Sequence, residues 1–327
     1  MNRSTRILAS FCAMSALTLA GMGNALAAPK WPEKPVRLLV GFAPGGPTDV
    51  VARIVSEAVS KELGQPIVVE NKAGAAGNIA AASLVQAPAD GYTLLYNTSS
   101  IVIAPWVYKQ VGFDPLKDFA PVSLTAAVPL VLAINAKVDA ASPKDLIALV
   151  KAAPGQYNYA SSGTGAIEHL TAAHILSAVG GEAVHVPYKG TAPAQVDLIA
   201  GATQFTTTTL NTVISPVKAG TLKALAVTSK SRSPVMPDVP TVSESLIPGF
   251  ESLAWQGIVA PAGTPADVID VLNKAINKAL TSPEVSDKLR QQGTLTLGGS
   301  ADEYKAYIKS EYARWGEVVK AAGAAAE

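Results

Sequence analysis

Residues 36–49 read VRLLVGFAPGGPTD, and the fold follows from how this stretch is parsed. Val36-Arg37-Leu38-Leu39-Val40-Gly41 is a short apolar run suited to a strand, and Ala43-Pro44-Gly45-Gly46-Pro47 is turn-forming. From residue 48 to about residue 63 the apolar side chains fall at helical spacing. The order is strand, loop, helix. It recurs at once: residues 67–77 read IVVENKAGAAG, a strand running through a glycine-rich loop into a helix that reaches about residue 86. Residues 92–96 form the next strand. Strands alternating with helices imply a largely parallel sheet in an α/β fold.

A second series begins near residues 130–134 and continues with a helix after Ser142-Pro143, a strand at 157–160 and a helix over 166–179. Strands at 183–186 and 222–228 bracket a helix at 192–200. The Pro- and Ser-rich stretch 231–248 then leads to a strand at 253–259 and two or three terminal helices. About 300 residues exceed what one hydrophobic core usually supports. The expected division is a discontinuous first domain, residues 28–128 with 252–327, and a second domain, 129–251, with hinges near 127–131 and 250–254.

Met1-Asn2-Arg3-Ser4-Thr5-Arg6, the apolar run that follows and Ala25-Leu26-Ala27 make a basic start, a hydrophobic core and a small-residue cleavage site. Residues 1–27 read as an export signal cleaved after about Ala27, which places the product in the periplasm. The only cysteine, Cys12, lies inside that segment, so the mature chain is expected to hold no thiol, disulfide or thiolate metal site. Removing Arg3 and Arg6 from the 26 basic residues leaves 24 against 25 acidic ones, a balance that argues against nucleic acid as a partner.

In an open parallel sheet, ligands bind beyond the carboxyl ends of the strands. Residues 41–49 supply glycines whose backbone N–H groups can approach a ligand, ahead of a helix whose positive end favours an anion. Ser161-Ser162-Gly163-Thr164-Gly165 does the same in the second series. Two such loops would form opposite lips of a cleft and could grip a carboxylate without a formal positive charge. Each alone could equally be an ordinary capped βα turn. Tyr188 and Lys189 follow a strand and could donate to the same anion, although a loop lysine is more often merely solvated. Thr206-Thr207-Thr208-Thr209 reads as a strand edge or loop with hydroxyls on both faces, or as a half-exposed strand. Trp255 could pack on a ligand or lie in the core.

Catalytic readings fail. Gly163-Thr164-Gly165 lacks the rest of a dinucleotide fingerprint, no G-x-S-x-G elbow is present, and Ser215-Pro216-Val217-Lys218 matches S-x-x-K spacing without its companion motifs. His169 and His174 are five apart, turned away from each other on a helix, and together with His185 read as helix-surface or core histidines. No metal site and no cofactor are expected. A hydrolase using Asp49 or Glu168 with water is a remote alternative, and a receptor presenting its closed form to a sensor kinase is a nearer one.

Residues 40–49 with Ala52-Arg53 resemble the opening motif of the Bug family, the substrate-binding components of tripartite tricarboxylate transporters. Residues 69–77, Asp90-Gly91-Tyr92-Thr93-Leu94-Leu95, 161–165, 186–190 and Trp255-Gln256-Gly257 leading to 260–265 are similar to that family's later motifs, in order. The resemblance implies a two-domain Venus-flytrap fold of the type II-like kind, with a mainly parallel, helix-flanked sheet in each domain. It further implies a monomer that closes on a small carboxylate, held through backbone amides and waters, and delivers it to membrane permease subunits. On this resemblance Phe42, Gly45, Gly46, Thr48 and Asp49 form the first lip. Ser161, Ser162, Thr164, Gly165, Tyr188 and Lys189 form the second, with Ala76, Ser99 and Thr208 beside them. Many members carry Phe-Asp where this chain has Thr207-Thr208. Loss of that acid favours an aromatic acid or small dicarboxylate over an amino acid.

Overall fold

The computed structural model describes residues 31–325. The expected signal segment, residues 1–27, and the last residues of the C-terminal tail lie outside them. Strand β1 (Val36–Val40) buries Val36, Leu38, Leu39 and Val40 completely or nearly so, as a central parallel strand requires. Helix α1 (Pro47–Leu63) starts with proline at its first turn and stops at Gly64, which adopts the left-handed conformation at φ 68°. Strands β2 (Ile67–Asn71) and β3 (Thr93–Thr98) flank β1 in parallel, and helices α2 (Asn78–Val85) and α3 (Ser100–Val107) follow them.

Strand β4 (Phe119–Asn135) is 17 residues long and organises the rest. From Phe119 to Pro129 it runs antiparallel to β9 (Leu253–Pro261), and from Leu130 to Asn135 it pairs with β7 (Phe205–Thr209) and β8 (Leu222–Val227) instead. The change of partner falls between Pro129 and Leu130. Strands β5 (Asn158–Ser161) and β6 (Val184–Pro187) complete the second group in parallel with β7, giving the order β2-β1-β3-β9-β4-β7-β5-β6. The expected parallel pairing thus holds among β1, β2 and β3 and among β5, β6 and β7. The two strands that carry the chain between the groups, β4 and β9, run opposite to each other and enter antiparallel.

Helices α4 (Pro143–Ala152), α5 (Ile167–Val179), α6 (Thr191–Ala200), α7 (Leu210–Lys218) and α8 (Val242–Ser245) belong to the second series. Helix α4 carries a reciprocal Ser142–Asp145 capping box. The terminal helices α9 (Ala266–Leu280), α10 (Pro283–Gln291) and α11 (Ala301–Ala321) pack on the first group, and a short strand, β10 (Leu295–Thr296), pairs with β4. Glu311 on α11 anchors the last helix. Its Oε2 accepts from Trp255 Nε1 at 2.8 Å and Trp315 Nε1 at 3.1 Å, while Arg314 pairs both carboxylate oxygens. Trp255 is fully buried, so of its two possible roles it fills the core one.

Candidate functional site

The loop from β1 to α1 is built around Asp49. Its Oδ2 accepts from the Gly45 N–H and Arg53 Nε, each at 2.8 Å, and its Oδ1 accepts from Asn71 Nδ2 at 2.8 Å. Asn71 also donates to the Phe42 carbonyl at 2.9 Å, so one buried carboxylate ties the loop to β2. Burial alone would raise the Asp49 carboxyl, but the hydrogen bonds from Arg53, Asn71 and Gly45 outweigh it and hold the group below the usual carboxylate range. The expectation that Gly45 and Gly46 offer free amides to a ligand is therefore altered. Gly45 N–H turns inward to Asp49, and Gly46 N–H donates to the Ala43 carbonyl at 3.2 Å. Asp49 and Thr48 are buried beneath the loop.

What faces open space here is a crevice of about 250 Å³ beside the carboxyl ends of β1 and β3. Phe42, Ala76, Asn97, Thr98 and Ser100 are among the residues that line it. Ser99, the residue expected there, is buried, and Ser100 takes its place. The far wall is strained backbone. Ala75 and Ala76 hold φ of 47° and 54°, left-handed values that cost a non-glycine residue on the order of 1 kcal/mol. Gly41 is obligatory for close approach, since a Cβ there would lie 2.5 Å from Gly77 Cα.

A second crevice, of about 290 Å³, lies at the carboxyl ends of β5 and β7. Ser161, Ser162, Glu168, Gln195, Thr206 and Thr208 help to line it. Strand β7 is buried throughout, because β4 and β5 flank it on both sides; it is not the edge or half-exposed strand its threonines suggest. Ser161 Oγ lies 2.6 Å from His185 Nε2, and the Gly165 N–H donates to His169 Nδ1 at 3.1 Å. The two imidazoles stack at 3.7 Å and 8°, with Tyr159 stacked against both. Burial pushes His169 down to about 4; burial, with His169 alongside, does the same for His185. Neutral rings thus support this lip from below.

The remaining predicted residues of the second lip are not lining groups of that crevice. Tyr188 donates to Asp197 Oδ2 at 2.7 Å, and burial followed by that acceptor pushes its phenol up to about 12. Lys189 and Thr164 are exposed. The Thr164 carbonyl accepts from Tyr108 Oη at 2.9 Å, and a Cβ on Gly165 would lie 2.5 Å from Val107 Cγ1. Helix α3, roughly 12 Å long at 1.5 Å per residue, thus begins in the first crevice and ends against the second loop. Glu168 is the crevice residue that sequence reading weighed only as a remote hydrolytic base; its place in the first turn of the helix after a Ser-Gly loop was the available signal. Among the described residues no cluster of His, Cys, Asp and Glu could hold a metal ion, and no helix is long and apolar enough to cross a membrane.

Two solved structures share this architecture, and a curated relative is similar in sequence. An R. palustris protein solved with adipate superposes with a TM-score of 0.84 at 36% identity, covering 90% of this chain and 98% of that one. MatC from Rhodopseudomonas palustris, solved with bound malate, gives 0.79 at 31%, covering 88% and 100%. Protein BugT of Bordetella pertussis is 37% identical over 310 residues, 94% of this chain and 95% of BugT. Likeness at this level defines the class, a solute-binding protein and not an enzyme. A family model described as the tripartite tricarboxylate transporter family receptor matches residues 51–324, and the chain belongs to that TctC, or Bug, family.

Proposed function

We propose that the chain is a monomeric periplasmic receptor that takes up a small dicarboxylate or aromatic acid between two lobes and delivers it to the membrane permease subunits of a tripartite transporter. The observation that carries this reading is the pair of crevices, each lined by apolar and hydroxyl-bearing side chains at the carboxyl ends of parallel strands and bridged by α3. The relatives solved with adipate and malate support the ligand class. The lobes are residues 28–128 with 252–327, and 129–251. The change of β4 partner at Pro129 and Leu130, and the pairing of Pro129 with Leu253, support hinges at those points.

In this reading Phe42 and Ala76 supply the first wall and Ser161, Ser162 and Thr208 the second. Gly45, Gly46, Asp49, Gly165 and Tyr188 hold the lips in shape. Residues 1–27 act as the export signal. A thermal-shift screen of the mature protein with adipate, malate, benzoate and glutamate, followed by calorimetry, tests the reading. A ligand at 100 times its Kd adds about 2.7 kcal/mol to apparent stability. Stabilisation by a diacid or benzoate without turnover is the expected result; stabilisation by glutamate alone, or by no carboxylate, overturns it.

A further inference from the structure

Glu168 stands apart from the other groups of the second crevice. It is 8% exposed, its carboxyl accepts from Ser162 Oγ at 2.8 Å and from its own backbone N–H, and no cation contributes to its surroundings. The Thr207 hydroxyl donates to its backbone carbonyl and fixes the turn that carries it. The lining side chains include no base, and Glu168 is the ionisable one among them. A carboxylate buried without a cation is costly, which favours the protonated form. Burial indeed raises it above the ordinary carboxylate range, against the two hydrogen bonds that oppose the shift. A neutral carboxyl has one O–H to give, and Ser162 Oγ, 2.8 Å away, is a hydroxyl that can itself donate or accept, so the O–H can turn to an acceptor in the crevice instead.

Resting on the receptor reading above, we infer that Glu168 is a specificity-determining residue: its carboxyl O–H donates a hydrogen bond to an oxygen of the ligand's second carboxylate, seated in the crevice with Ser161, Ser162 and Thr208. An ionised Glu168 would repel an anionic group there. The neutral acid instead meets a group that can only accept, which gives diacids an advantage over monoacids of equal length.

Calorimetry on the mature protein tests this with adipate and with hexanoate, whose methyl end replaces the second carboxylate. Glu168→Met, similar in volume but without a polar head, is expected to weaken adipate about tenfold or more, the usual weight of a hydrogen bond to a charged group, and to leave hexanoate within about threefold. Glu168→Gln, which still donates through its amide, is expected to keep adipate within about threefold of the parent. Unchanged adipate affinity in Glu168→Met, or equal losses for both acids, overturns the assignment. So does a tenfold loss in Glu168→Gln, a result that stands even if Glu168→Met fails to fold. If the parent binds glutamate alone or no carboxylate, the receptor reading and the Glu168 assignment fall together; if it binds benzoate but no diacid, or binds adipate with Glu168→Met unaltered, Glu168 alone is removed.

Discussion

The two glycine-containing loops are held in shape by opposite electrostatics. The first is drawn together by an ionised carboxylate, Asp49, gripped by Arg53, Asn71 and the Gly45 amide. The second rests on neutral groups, the stacked rings of His169 and His185 beneath Ser161 and Gly165. A charged brace persists until its acid is protonated. A brace of buried neutral imidazoles fails when protons become available to the unfolded chain. The lips should therefore lose their support in different pH ranges.

Removing the charged brace should have the largest effect. Asp49 is 2% exposed and takes three hydrogen bonds, so Asp49→Ala is expected to cost about 3 kcal/mol, kept from the upper end by the half-exposed Arg53 partner. Urea unfolding at pH 7 measures it. A loss below about 1 kcal/mol would mean the loop is held by something else, and the contrast between the lips would collapse.

The histidine pair gives an effect of similar size that appears only in acid. His169 sits near 4 in the native state against 6.5 when unfolded, so the unfolded chain binds the proton first. Its contribution is whole above about pH 6.5 and is lost as pH falls towards 4, about 3 kcal/mol for a shift of this size. His185, half-buried and coupled to it, adds less. The Asp49 carboxyl, held below its ordinary 3.8, remains ionised across that window. Unfolding curves at pH 7 and 4.5 should show a smaller fall in His169→Gln than in the parent, whereas equal falls would exclude the ring stack as the acid-sensitive element.

Gly45→Ala should have the smallest effect. An added Cβ meets no atom within 4 Å, so the change costs only the left-handed backbone at φ +76°, about 1 kcal/mol. With the Gly45 amide already committed to Asp49, ligand affinity should change less than threefold by calorimetry. A complete loss of binding would show that this amide turns outward in the bound state, and would restore the lip role that the glycine motif suggests.

The strand-loop-helix order, the boundaries of β1, α1 and β2 to within a residue and the family itself were legible in the chain. Turn residues and apolar periodicity are local properties that each segment expresses on its own. Helix α3 was not legible: it is eight residues, apolar nearly all round and interrupted by Pro105, so no amphipathic period marks it. Nor was the full length of β4, whose Pro121 argues against a strand until the irregular register between Pro121 and Ser123 accommodates it.

By itself, then, the sequence determined two glycine-rich loops at the ends of parallel strands, the absence of a catalytic motif, and membership of a receptor family. Only the tertiary structure decided that Asp49 and the Gly45 amide face each other, that His169 and His185 meet across α5 and β6, and that Glu168 shares a crevice with Thr208. The physical reason is that a side chain's direction is set by what packs behind its backbone, and those neighbours come from segments far apart in the chain.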